Sequence, residues 1–355
     1  PTITLHEQGD VTLIIGEEEQ RVVVSTSILR RASPVWQAMF GERWAESEAT
    51  EVPLPDDDVE AMVTVLRIAH LRFDEVPQKH GLSFKQLLSL AIICDKYDTV
   101  KIVRPFMYLH EWHLKWRPQV AKPGYEEWLF ISWTFGYPEI FEIVAQHLLM
   151  TVYIDQSGNC LTENGKPIAA NMPPGIIERI LKVREDTISA ILRHCYATLE
   201  RVKLTRTCQI PDPKPNQSSY RSTLPDTYSS EKECHSMILG SLVGALNDLR
   251  IGSRPTASQY HYSISHFSQF LSTVSISAYT KVDLDKLYDL TDRRDRYGYT
   301  KERPSKNEFI SAGVQSHATC ADAVQLITPA KEIIAKMPSA VLDSHLKHME
   351  KQATK

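Results

Sequence analysis

The 355-residue chain is long enough for two or three domains, and its 42% hydrophobic and 24% charged content suits a globular protein with a proper core. Its net charge of −4 hides an asymmetry, with 15 Asp and Glu against 6 Lys and Arg in residues 1–75 and 29 against 34 in the remainder. The acidic first part argues against nucleic acid there, since phosphate contacts need clustered cations, and leaves DNA binding open further along. The densest apolar stretch, EEWLFISWTFGY at 126–137, is broken well short of the ~20 residues a membrane span needs.

PTITLHEQGD at the amino terminus lacks the basic start and apolar run of a secretory signal, so the expectation is a soluble intracellular chain, nuclear or cytoplasmic. Six cysteines, at 94, 160, 195, 208, 234 and 320, then read as reduced thiols or metal ligands and not as a disulfide framework.

In chain order, DVTLIIG (10–16) and QRVVVS (20–25) are β-branched runs joined by three glutamates, the pattern of a hairpin. Ser25 is placed to cap a helix over TSILRRA, and Ser33 a second one with Pro34 in its first turn. TEVPL (50–54) is short and extended. Asp57 and Glu60 have capping-box spacing ahead of Val59, Met62, Val63, Leu66 and Ala69. Phe84, Leu87, Leu88 and Ala91 form another helical stripe. CDKYD (94–98) reads as a tight turn, with Asp98 capping a helix to about Lys115. An aromatic helical region over 125–154 is split by GYP at 136–138, and 155–168 reads as a hairpin or ordered loop. PPG (173–175) opens a long amphipathic helix carrying Ile177, Ile180, Leu181, Ile188, Ile191, Leu192, Cys195 and Leu199. Residues 209–233, rich in Pro, Ser and charge, read as a mobile linker. Helices resume at 234–250, about 263–279, and from 317 onward. Strands first and then almost only helices predict an α+β module followed by an all-α extension.

The stretches GDVTLIIG, VVVSTSILRRASPVWQAMF, VPLPDDDVEAMVTVLRIAH and LLSLAIICDKYD together resemble a BTB/POZ domain over residues 7–115. WLFISWTFGYPEIFEIVAQHLL and MPPGIIERILKVREDTISAIL resemble the helical extension of fungal BTB/POZ proteins, here 120–205. A mobile linker (206–233) and a mostly helical C-terminal region (234–355) complete the expected division. The resemblance implies a small mixed sheet with surrounding helices, no active site, and a protein-interaction scaffold that forms homodimers. Its dimer contact would use residues 2–8 and 25–32, including Ile28, Leu29, Arg30 and Arg31.

In members that recruit a cullin ubiquitin-ligase scaffold, a hydrophobic residue, any residue and then Glu follow the AMF helix. Trp44, Ala45 and Glu46 align with that pattern, next to Phe40. Trp44 is then either an anchor for a partner's pocket or a ring folded back over the helix end after Gly41. A substrate adaptor for such a ligase is one alternative function. A transcriptional regulator acting through partners is another, since no DNA-binding motif is present.

Cys208, Cys234, His317 and Cys320 form the sharpest chemical candidate. Three thiolates and an imidazole suit a tetrahedral zinc ion, and His317-x-x-Cys320 lets two ligands face one ion. The alternative is scattered small buried residues, as free cysteines often are. Asp56, Asp57 and Asp58 read as helix-capping charge rather than a cation site. DQSGNCLTE (155–163) is only a faint echo of a calcium loop and reads as a hairpin tip. TDRRDRYGYTKERPSK (291–306) interleaves bases with tyrosines but is diluted by acids, so a solvated loop or a contact for an acidic partner is expected. No GxSxG, phosphate-cradling loop or HExxH occurs, and His235 beside Cys234 does not make a catalytic pair, so an enzyme is not expected.

Overall fold

A computed structural model describes residues 1–41, 49–210, 230–278 and 317–355. They pack as two compact units, Pro1–Val183 with Pro338–Lys355, and Arg184–Met337. The class is mixed, with a small sheet and many helices, compatible with α+β. Among the described residues no helix is long and apolar enough to cross a membrane.

The first unit is built on a four-stranded sheet, β1 (Ile3–Thr4), β2 (Val11–Ile15), β3 (Gln20–Val24) and β4 (Glu51–Leu54), in the order β1-β3-β2-β4. The predicted hairpin is β2–β3, antiparallel with Leu13 opposite Val22, and β4 returns parallel to β2 with Leu13 opposite Val52. Alternation buries Val11, Leu13, Ile15, Val22, Val24, Val52 and Leu54 on one face. The leader pairs in cis, Ile3 opposite Val22 of its own chain.

Helices α1 (Thr26–Ala32) and α2 (Pro34–Met39) follow. Ser33 caps α2 as expected, its hydroxyl accepting from the Trp36 N–H at 3.0 Å. Ser25 does not cap α1 with its side chain. Asp10 does, accepting from the Thr26 N–H (2.7 Å) and hydroxyl (2.6 Å), because the sheet brings a stronger acceptor to that helix end.

Helix α3 (Val59–Ala69) is capped by Asp58, which accepts from the Ala61 N–H at 2.9 Å, so the cap falls one residue after the expected Asp57. Asp57 is instead buried and accepts from Lys96 Nζ (2.6 Å) and the Tyr97 hydroxyl (2.5 Å). That pair lies at the end of α4 (Phe84–Lys96), which takes in the first three residues of the predicted CDKYD turn. The turn comes only at Asp98, with φ 49°, and α5 (Val100–Leu109) starts after Thr99 and ends short of Lys115. The remainder, Leu114–Gln119, is 3-10 helix.

The GYP breaker behaves as read. Gly136, at φ 73°, ends α6 (Trp128–Phe135), and Pro138 starts α7 (Pro138–Thr151). The hairpin β5 (Tyr153–Ile154) and β6 (Cys160–Leu161) comes next, then the long helix α8 (Ile176–Leu204), within which the two units divide.

Residues 338–355, expected to belong with 234–337, are part of the first unit. Their helix α12 (Asp343–Ala353) stacks His348 on Trp133 at 3.9 Å between ring centroids. Arg104 ties its end down, donating to the carbonyls of Phe135 (2.9 Å) and Gln352 (2.5 Å), and Lys355 pairs with Asp98.

The second unit packs the later part of α8 with α9 (Ser230–Asp248), α10 (Ile264–Thr273) and α11 (Ile327–Ala335). Ile188, Ile191, Cys195, Ile238, Leu242, Phe267 and Leu271 are among its buried residues. Polar side chains of α8 fasten the irregular backbone. Arg184 donates to the carbonyls of Tyr260 and Tyr262, both at 2.7 Å, and Arg201 to that of Val324 at 2.6 Å. Helix α9 begins at Ser230, inside the stretch expected to be linker, and its Cys234 is buried.

Candidate metal centre

Three pieces of the second unit deliver the four predicted ligands. Cys208 lies on irregular chain after α8, Cys234 in the first part of α9, and His317 and Cys320 on a tight turn closed by the Cys320 N–H donating to the His317 carbonyl at 2.9 Å. Their ligand atoms all lie within 4.8 Å of one another. Cys208 Sγ is 3.0 Å from His317 Nδ1 and 3.9 Å from Cys320 Sγ. Cys234, His317 and Cys320 are fully buried, and Cys208 is half-buried. The Cys208 thiol is further oriented by the Ile210 carbonyl at 3.3 Å.

These distances suit a tetrahedral ion. Bonds of about 2.3 Å to sulfur and about 2.0–2.1 Å to nitrogen imply S···S edges of about 3.8 Å and S···N edges of about 3.6 Å. Adjustments of about an ångström or less therefore bring the four atoms onto one tetrahedron. The electrostatics point the same way. Burial first, and then the neighbouring Cys234 and Cys320, push the Cys208 thiol up to about 12, so the thiolate form of Cys208 is disfavoured without a cation beside it. A divalent cation at the centre would supply the charge that stabilises that thiolate. The cluster can hold a metal ion.

Beside the ligands, Thr207 Oγ1 lies 3.3 Å from His235 Nδ1, joining the immediate neighbours of Cys208 and Cys234. Sequence reasoning did not find this pair, since only the fold brings 207 to 235. Cys195, read as core, is buried, and burial pushes its thiol up to about 12.

The other candidates resolve differently. Leu29 and Phe40, expected at a dimer or partner contact, are buried in the first unit's core, because the helices turn their apolar faces onto the sheet. Ile28 is half-buried, and Arg30 and Arg31 are exposed. Trp44 and Glu46 lie outside the described residues, as do 291–306 and most of the linker (211–229). Asp57 and Asp58 are spent on Lys96, Tyr97 and the α3 cap. Asp155 accepts from the N–H groups of Ser157 and Asn159, both at 2.8 Å, which makes it the turn of the β5–β6 hairpin. A groove of about 290 Å³ lies in the first unit along α3 and α4. Its Glu60 is engaged by Gln86 and its Arg67 by Glu75.

No protein-family model matches the chain, and no curated protein matches it.

Proposed function

We propose that the chain is a non-catalytic protein-interaction scaffold, with a BTB/POZ-like first module that self-associates and a second unit held together by a structural zinc ion on Cys208, Cys234, His317 and Cys320. What carries the zinc part is the convergence of three thiols and one imidazole, three of the four fully buried, from three separate stretches of chain. A closed set of four protein ligands leaves no open position for substrate or water, which is the arrangement of a structural site and not of a catalytic one.

Support for the interaction part is the order of elements across residues 7–115. A hairpin, two short helices, a strand returning parallel to the hairpin's first strand, and three further helices agree with the small mixed sheet and surrounding helices that the resemblance implies. The exposed Arg30 and Arg31 on α1 are the charges such a contact would use.

Elemental analysis of chain purified without chelator or added metal tests the zinc part, with one zinc per chain expected and a substoichiometric trace refuting it. Sedimentation of the full chain at micromolar concentration tests the other. A dimer that Arg30→Glu with Arg31→Glu converts to monomer is expected, and a monomeric wild type overturns it.

A further inference from the structure

The four ligands differ in one respect that matters chemically. Cys234, His317 and Cys320 are sealed from solvent, while Cys208 is partly open to it and sits on chain with no helix or strand to hold it. A thiolate reacts with an oxidant only where the oxidant can reach it, so one sulfur of the set is addressable.

We propose that Cys208 is the oxidation site of this centre, and that a peroxide converts Cys208 and Cys320 into a disulfide and expels the metal. This rests on the zinc reading above. The Cys208 thiolate attacks the O–O bond of hydrogen peroxide, forming an S–O bond and releasing hydroxide, which takes a proton to become water. The Cys320 thiolate then attacks the sulfenic sulfur, the S–S bond forms, and the second oxygen leaves as water after taking another proton. Two thiolates, one peroxide and two protons give one disulfide and two waters, with the peroxide reduced and the sulfurs oxidised.

Geometry makes the second step short. The sulfurs are 3.9 Å apart, so about 1.9 Å of approach reaches the disulfide bond length, a distance irregular chain can supply. The metal is left with Cys234 and His317 alone, two ligands where it had four, and dissociates. Oxidation thus replaces a clamp on three stretches of chain by a link between two, and the start of α9 is the part let go.

The test treats the zinc-loaded full chain with graded hydrogen peroxide while a chromogenic chelator reports free zinc, followed by peptide mapping. One zinc should be released per Cys208–Cys320 disulfide, and the thiols counted after denaturation should fall from six to four. Thiol reductant with added zinc should restore the starting state. Cys160→Ser, which removes a half-buried thiol outside the cluster, should leave the release unchanged. Retention of zinc under a hundredfold excess of peroxide overturns the inference and leaves the metal reading standing, as does a disulfide that lacks Cys208. A chain that carries no zinc before oxidation overturns both.

Discussion

Gly136→Ala tests how the C-terminal helix is held. Gly136 has φ 73°, in the left-handed region, and a Cβ built there would lie 2.6 Å from both the Ala353 nitrogen and the Met349 carbonyl oxygen. The substitution therefore carries two costs. The left-handed backbone costs an alanine about 1–2 kcal/mol, and forcing α12 away adds about 1–3 kcal/mol of overpacking. Because the contacts are backbone atoms, no rotamer change relieves them, and the helix must move. With it go the His348–Trp133 stack and the Arg104 bond to the Gln352 carbonyl. The expected loss is about 2–5 kcal/mol in urea unfolding, with the tail newly open to carboxypeptidase. Gly165→Ala separates the two costs, since Gly165 has φ 72° but nothing within 4 Å of its would-be Cβ. It should lose only the backbone share, about 1–2 kcal/mol. Equal losses for the two variants, or a Gly136→Ala tail that stays protected, would refute the packing argument.

Two further predictions concern the first unit's polar core. His70 accepts from the Ser25 N–H at Nε2 (3.1 Å), and burial holds its imidazole below the usual 6.5. The unfolded chain therefore takes up this proton first as pH falls, so stability is full above 6.5 and declines below it until the folded imidazole also titrates, with a slope of at most about 1.4 kcal/mol per pH unit. His70→Gln should flatten that part of the slope between pH 7.5 and 5.5 in urea titrations, while His113, His266 and His348, shifted in the same direction, keep theirs. An unchanged slope would contradict the assignment. Tyr97→Phe strips one of two partners from the buried Asp57 carboxylate and should cost about 1–3 kcal/mol. A loss under about 0.5 kcal/mol would mean that solvent reaches Asp57 after all.

How far the chain could be read in advance follows from where each cause sits. The β2–β3 hairpin, the Ser33 cap, the α3 stripe and the Gly136 stop depend on residues within a few positions of one another, and period or turn chemistry exposes them. Asp10 as the α1 cap and Asp57 as acceptor for Tyr97 depend on partners 16 and 40 positions away. A local reading assigned those roles to the nearest suitable residue, Ser25 in one case and an Asp57 box in the other. CDKYD looked like a turn because its residues are polar, yet Asp95 and Lys96 occupy the last turn of α4 and Lys96 reaches back to Asp57. The docking of α12 left no local trace, since Trp133 and His348 meet only in the fold.

The four residues of the candidate metal centre are the exception, being 109 and more positions apart in part and still legible as a set. Cysteine and histidine are scarce, and few arrangements use both, so a spaced His-x-x-Cys with two unassigned thiols narrows the chemistry before any topology is known. A metal ion held by these four residues would also close long loops of the second unit. From Cys208 to Cys234 is 26 positions and from Cys234 to His317 is 83, and closing loops of that size in an unfolded chain costs about 3–5 kcal/mol each by the cross-link estimate. An ion that holds both loops shut removes that freedom from the unfolded state, so the second unit should depend on metal where the first, with its sheet and aromatic core, does not. Chelation should therefore lower the unfolding temperature of one unit and leave the other's in place. A single transition shifting as a whole would show that the metal's influence does not stop at the boundary within α8.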